Sequence, residues 1–347
     1  MRCEIKVGII FFMLDDLLFS VNAVFPIILV SAFGFIARKT GFIDDAFIKS
    51  GNKFCFRFGF FAMMFVNIYK IESLGEIRWN VVFFAVLSIL VLFFIGLIWI
   101  IFVEKIPAQK GVIHQAFYRS NYATIGLPLA FNIVGGEGLV IASLISAFSV
   151  PLFNVLGVIS LAAFNRQENG GKHRNLVVHI LKEIVKNPLI QGVALGMLCV
   201  AVRPFCGSWR FSKSNIRFVF NAFEAVGAIA PWLSLIILGG QFTFSAVRRL
   251  LPQIVSSVVA RLVLAPVVGM LLCIFLPPVF GVRSFTAPEY AALFSLFATP
   301  EAVASISMAD QMNGDSELAG QILVWTAVFS ACTLFAFVAF FRHAGIF

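Results

Sequence analysis

Ten apolar runs, each close to the length of a membrane helix, divide this chain almost from end to end. They lie near residues 17–37, 51–69, 80–102, 113–133, 138–163, 187–205, 217–240, 251–276, 289–310 and 318–341. A hydrocarbon core takes roughly 20 apolar residues per helix, so ten spans use roughly 200–230 residues. The chain has 347 residues, which leaves loops and no folded soluble domain. Backbone polar groups inside lipid must be satisfied within the segment, so the runs are read as helices of an all-α integral membrane protein. Composition agrees: 60% of residues are apolar and 12% charged, against about 45–50% and about 25% in soluble domains. These values exclude a soluble enzyme, a nucleic-acid-binding domain and intrinsic disorder. The expected location is the plasma (inner) membrane, with the lipid bilayer as partner and no nucleic acid.

The N-terminus imitates a signal peptide, with Lys6 ahead of Val7–Leu14. Asp15 and Asp16 interrupt it and no small-residue cleavage site follows, so it is read as the retained start of the first span. The six cysteines form no C-x-x-C pair and mostly sit in apolar runs, as small hydrophobes do. The four histidines, His114, His173, His179 and His343, are placed at or near loops without ligand spacing. No metal site and no cofactor are expected.

The polar loop Asn165–Asn175 lies near the middle of the chain and separates two sets of five runs. The expected organisation is a first five-helix repeat over 1–164, a polar linker over 165–180 and a second repeat over 181–347. Run three starts near Trp79 and run eight near Leu251; Pro128 in run four matches Pro300 in run nine. The offsets are roughly 170 to 180 residues, as an internal duplication leaves. With an odd number of spans per copy, the second repeat enters the membrane inverted, a plan common among secondary transporters.

The net charge of +9 suits loops facing anionic headgroups. One side of the ten-span layout holds ten basic residues: Arg2, Lys6, Lys70, Arg78, Arg203, Arg210, Lys213, Arg217, Arg283 and Arg342. The other holds fourteen: Arg38, Lys39, Lys49, Lys53, Lys105, Lys110, Arg119, Arg166, Lys172, Arg174, Lys182, Lys186, Arg248 and Arg249. The excess assigns the second side to the cytoplasm and both termini to the outside.

Two runs read badly as continuous helices. Run four contains Arg119-Ser-Asn-Tyr-Ala-Thr-Ile-Gly-Leu-Pro128, in which Gly126 and Pro128 weaken the helix just after Asn121 and Thr124. Run nine contains Ala298-Thr299-Pro300-Glu301, with Ser295, Ser305 and Ser307 nearby. A single proline often only bends a membrane helix; two at matching positions, flanked by polar residues, point to breaks. A broken helix frees N–H groups on one side and carbonyls on the other, and so binds ions without many charged side chains. Two such breaks in inverted halves would meet near the midplane.

These stretches resemble the auxin efflux carrier family. Asn121–Pro128 with Gly135-Gly136-Glu137-Gly138 is similar to its fourth-span motif, and Pro151-Leu-Phe-Asn154 continues that match. Lys186-Asn187-Pro188-Leu189 with Gly192 and Gly196 resembles the sixth, and Pro231-Trp-Leu-Ser-Leu with Gly239-Gly240 the seventh. Arg261–Pro266 resembles the eighth, and Thr299-Pro300 with Gly314-Asp315 the ninth. The likeness runs in order over nearly the whole chain. It implies ten spans in two inverted five-helix repeats, spans four and nine broken and crossing, a fold shared with bile acid–sodium symporters, and a homodimer. It also implies a compact microbial carrier, as of malonate or malate. One departure stands out: where the family usually carries a proline in span two, this chain has Phe61.

The expected function is a secondary carrier of small organic anions, mono- or dicarboxylates, working by alternating access. Asn121, Thr124, Gly126, Pro128, Thr299, Pro300 and Ser305 are the candidate substrate-binding residues. Glu301, Arg261 and Arg57 are the candidates for ion coupling or charge pairing. Arg57 reads as snorkelling beside Lys53 or as a carboxylate partner. Arg261, mid-span, is expected to meet Glu301, Glu224 or a bound anion. Glu301 is open to three readings: a proton carrier, a sodium ligand or a helix cap, with H+ or Na+ as coupling ion. Gly192 and Gly196 read as close helix packing. The alternative is an integral membrane enzyme or sensor without transport, but the runs contain no nucleophile–base pair, paired Asp or H-E-x-x-H.

Overall fold

The computed structural model describes residues 25–26, 28–70, 79–164, 176–206 and 210–347. The N-terminal signal-like segment, the start of the first run, the loop Asn165–Asn175 and basic residues Arg2, Lys6, Arg78, Arg166, Lys172 and Arg174 lie outside them. Among the described residues every regular element is helical. In order they are α1 (28–39), α2 (Asp45–Phe54), α3 (Phe60–Tyr69), α4 (Trp79–Val103), α5 (Pro107–Tyr118), α6 (Leu127–Val134), α7 (Gly136–Phe164) and α8 (Leu176–Lys186). Then come α9 (Pro188–Val202), α10 (Arg217–Gln241), α11 (Phe244–Arg249), α12 (Leu251–Val259), α13 (Ala265–Val279), α14 (Ala287–Ala298), α15 (Ala304–Gln311) and α16 (Ser316–His343). Single π-turns join α2 to α3 (Cys55–Gly59), open α6 (Tyr122–Gly126) and join α12 to α13 (Ala260–Leu264).

Local chemistry sets the helix starts. Asp44 accepts the Phe47 N–H at 2.8 Å, Asn187 the Leu189 N–H at 2.9 Å and Asp315 the Leu318 N–H at 2.9 Å. Thr286 and Glu289 form a reciprocal capping box on α14. Arg342 and His343 close α16, where cations suit the helix dipole.

Six helices among the described residues are long and apolar enough to cross a membrane: Trp79–Val103, Gly136–Phe164, Pro188–Phe205, Arg217–Gln241, Leu251–Val279 and Ser316–His343. The second apolar run continues from α2 into α3 through its π-turn, while runs four and nine are each split into two short helices. Run four also starts earlier than its apolar residues suggest, because Pro107 opens α5. His114, placed near a loop by the sequence, is therefore inside a helix, fully buried, with Nε2 2.8 Å from the Phe93 carbonyl oxygen.

Helices α3, α9 and α10 pack as one group. Gly192 and Gly196 make the contact possible: a Cβ there would lie 2.3 Å from the Phe61 carbonyl oxygen and 3.1 Å from that of Phe65. Helices α4 to α7, α13 and α14 form a second group around Phe117, Tyr118, Tyr122, Phe153, Phe294 and Phe297. A cavity with a polar inner end lies where α3 and α10 face α7 and the two split runs.

Candidate functional site

Both split runs break in the same way. After α5, Arg119 is extended (φ −83°, ψ 114°), and the chain turns through Ser120 and Asn121 before the π-turn. Serine and asparagine compete with helical backbone bonds, which suits them to such a stretch. After α14, Thr299 is extended (φ −73°, ψ 153°), as expected for a residue before proline. The two stretches pair. The Asn121 N–H donates to the Pro300 carbonyl at 2.8 Å, and Ser120 and Glu301 form an antiparallel bridge. Each break therefore satisfies backbone groups of the other, which is what lets irregular chain sit inside protein at this depth.

This places the first break at 119–121, ahead of the Gly126–Pro128 stretch that the sequence singled out. Pro128 stands one residue after the widened backbone of the π-turn, which accommodates its ring, and it is exposed on the outside of the protein. Gly126 packs against α14: a Cβ there would meet the Ser295 carbonyl oxygen at 3.1 Å.

Arg261 lies in the π-turn between α12 and α13 and is fully buried. Its expected acid partner is not what it touches. Nε donates to the Thr299 carbonyl at 3.0 Å, Nη1 to the Phe117 carbonyl at 3.3 Å and Nη2 to the Phe297 carbonyl. Those carbonyls belong to the C-terminal ends of α5 and α14. One guanidinium thus caps two converging helix C-termini, where unsatisfied carbonyls and both dipoles favour a cation. Glu224, the other acid proposed for Arg261, instead pairs with Lys70 at 2.5 Å.

Glu301 is also fully buried, and its N–H reaches Thr326 Oγ1 at 3.4 Å. Its carboxylate interacts with the Ser305 hydroxyl, although neither oxygen makes a hydrogen bond of good geometry among the described residues. The side chain interacts electrostatically with Arg119 and Arg261. The hydroxyls of Ser120 and Thr299 and the amide nitrogen of Asn121 are buried without hydrogen-bond partners among the described residues. Unsatisfied polar atoms are rare in folded interiors, and several of those among the described residues lie at this crossing point.

A cavity of about 300 Å³ descends to this point. Lys70 and Glu224, both about half exposed, stand at its mouth. Phe60, Met63, Met64, Val66, Val150, Phe153 and Pro231 give it apolar walls. Its polar lining is Asn67, Arg119, Ser120, Asn121, Thr124 and Asn154. Of the candidate substrate residues, Asn121 and Thr124 therefore line the cavity. Gly126, Pro128, Thr299, Pro300 and Ser305 do not, although Ala302, Val303 and Ala304 of the second break do. Arg57 is exposed on the π-turn ahead of α3, outside the cavity lining.

The sequence reading missed Arg119, Asn154, Lys70 and Glu224 as cavity residues. Arg119 was counted with the cytoplasmic loop charges, yet it is 2% exposed. Without it, fourteen residues become thirteen against ten, so the excess keeps its sign. The available signal was its place beside Ser120 and Asn121 within an apolar run.

A family model described as a membrane transport protein matches residues 19–338, nearly the whole chain. The chain belongs to this family, that of the auxin efflux carriers. No individual curated protein matches it. As a member of the membrane transport protein family it is a membrane transporter, and the polar cavity ending on the paired breaks is its candidate transport site.

Proposed function

We propose that the protein is a secondary carrier of small organic anions, mono- or dicarboxylates, and that the cavity over the paired breaks holds the substrate. The observation that carries this reading is a cavity with apolar walls whose inner end is polar, cationic at Arg119, and formed by two interrupted helices. A cavity of about 300 Å³ suits a small acid. The Asn121 amide and the Thr124 hydroxyl are the polar contacts.

The same reading takes the split runs as spans four and nine of a ten-span protein. Its halves, 1–164 and 181–347, are inverted repeats joined by the linker 165–180. The positive-inside count then puts the termini outside, so the cavity mouth at the α3–α10 end faces the exterior. On the opposite side the path is closed. Ser307 Oγ donates to Asn52 Oδ1 at 2.7 Å, amid buried Ile48, Leu238, Ile306, Ala319 and Ile322. Alternating access exchanges this seal for one at the Lys70–Glu224 mouth. Glu301, buried beside the site near Arg119 and Arg261, is the proposed carrier of the coupling proton or ligand of the coupling sodium. The carrier resides in the plasma membrane as a homodimer.

The test is uptake of labelled malate and malonate into proteoliposomes, with and without imposed pH and sodium gradients. Saturable uptake abolished by excess unlabelled acid is expected, and its gradient dependence names the coupling ion. Folded protein that moves neither acid overturns the malate and malonate assignment and calls for a wider screen of substrates.

A further inference from the structure

Arg119 is a buried cation held only by neutral groups. Nη1 reaches Gln115 Oε1 at 3.2 Å and the Met308 sulfur at 2.7 Å, and Nη2 reaches Asn154 Oδ1 at 2.8 Å. None of these carries charge, and a thioether is a weak acceptor. Burying an ion in this way is costly unless a counter-charge joins it. Glu301 is near enough to interact electrostatically but makes no hydrogen bond to it. Arg261 differs, because two helix C-termini neutralise it. Among the described residues Arg119 alone combines burial, neutral hydrogen-bond partners and a place on the cavity wall.

The surroundings hold the guanidinium in this position. Asn154 and Gly157 lie one turn apart on α7, and a Cβ at Gly157 would come within 2.9 Å of Arg119 Nη1. The second α7 residue is therefore small because the guanidinium passes there. The Asn154 amide nitrogen also reaches the sulfur of Met64 at 3.3 Å, and Met64 belongs to the opposite cavity wall on α3. The contact that fixes Arg119 thus spans the two helix groups around the cavity.

We propose that Arg119 is the receptor for the substrate's carboxylate, with Asn154 and Gly157 as its positioning residues. This rests on the organic-anion reading above and adds the group that recognises the charge. A guanidinium presents paired donors matched to a carboxylate, so the site should favour an anion over its uncharged amide.

The experiment measures competition for malonate uptake, and ligand-induced thermal shifts in purified protein, using malonate, its monoamide and its neutral diamide. Wild-type protein is expected to rank them in that order. In R119Q the preference for malonate over the diamide should fall on the order of ten- to hundredfold, the range of a hydrogen bond to a charged group. R119K should retain part of it. G157A keeps the charge but displaces it, and should weaken malonate severalfold while leaving the diamide unchanged. A structural role alone would lower all three ligands together. Should R119Q fail to fold, R119K and G157A decide: wild-type ligand ratios in both overturn the proposal. Ratios unchanged in folded R119Q overturn the Arg119 assignment only. No response of the wild-type protein to any of these anions overturns the carboxylate reading itself, and Arg119 as receptor with it.

Discussion

The two helix breaks solve one backbone problem and carry opposite chemistry. At the first, Arg119 and Asn121 reach the cavity wall; at the second, Glu301 sits fully buried and off it. They share a bridge between Ser120 and Glu301 and a common cap in Arg261. Matched backbone thus leaves the side chains free to divide the work. On the proposed reading, one break offers a cation to the bound anion, and the other holds a buried acid a short distance behind it.

The shared cap gives the largest expected effect. Arg261→Met should destabilise both breaks at once, because the carbonyls of Phe117, Phe297 and Thr299 lose their donor together. An orphaned buried carbonyl costs about 1–3 kcal/mol. A large fall in melting temperature in detergent, with loss of monodisperse protein, is the expected outcome. A melting temperature equal to wild type would show that the two C-termini do not depend on this cation.

The second test separates the breaks. Glu301→Gln removes the acid and keeps its shape, and the amide supplies donors to a cluster already rich in unpaired oxygens, among them Ser120 Oγ and Thr299 Oγ1. Folding should survive. Uptake should lose its response to the imposed proton or sodium gradient, with half-saturation by malonate changed far less than in R119Q. Should both variants alter substrate affinity equally and neither alter coupling, the division of labour between the breaks would be wrong.

The second break was legible in the sequence because its cause is local: Pro300 forces Thr299 out of the helix, and Glu301 and Ser305 are conspicuous in an apolar run. The first was misplaced because a proline suggested it. Pro128 sits where a helix tolerates it, whereas the true break at Arg119–Asn121 contains no proline and is stabilised by pairing with Pro300, a contact 179 residues away along the numbering (300 − 121). Arg119 looked like a loop charge for the same reason, since only the tertiary fold buries it under Asn154 and Met308. Arg261 was recognised as needing a partner, but sequence offers acids by name and hides carbonyls. The family's membrane-helix character was plain from composition. The polar cavity was not, because its walls come from α3, α7 and α10 as well as from the breaks.

The smallest effect concerns what proline does near the breaks. In the three π-turns the following residue donates its N–H five residues back: Phe60 to Cys55, Leu127 to Tyr122 and Ala265 to Ala260. One residue further on stand Phe61, Pro128 and Pro266. The widened turn therefore accommodates proline at two of these places and forms without it at the third. If the π-turn itself sets the backbone, position 61 should accept the ring. Phe61→Pro would then lose only the packing of the Phe61 ring, whose centroid lies 6.3 Å from that of Phe223. Its melting temperature should match that of Phe61→Ala, rather than showing the further cost of about 3 kcal/mol that proline carries in a regular helix interior. A clearly lower melting temperature for Phe61→Pro would mean that this π-turn differs in kind from the one that follows the first break, and that Pro128 shapes the entry to α6 rather than merely fitting it.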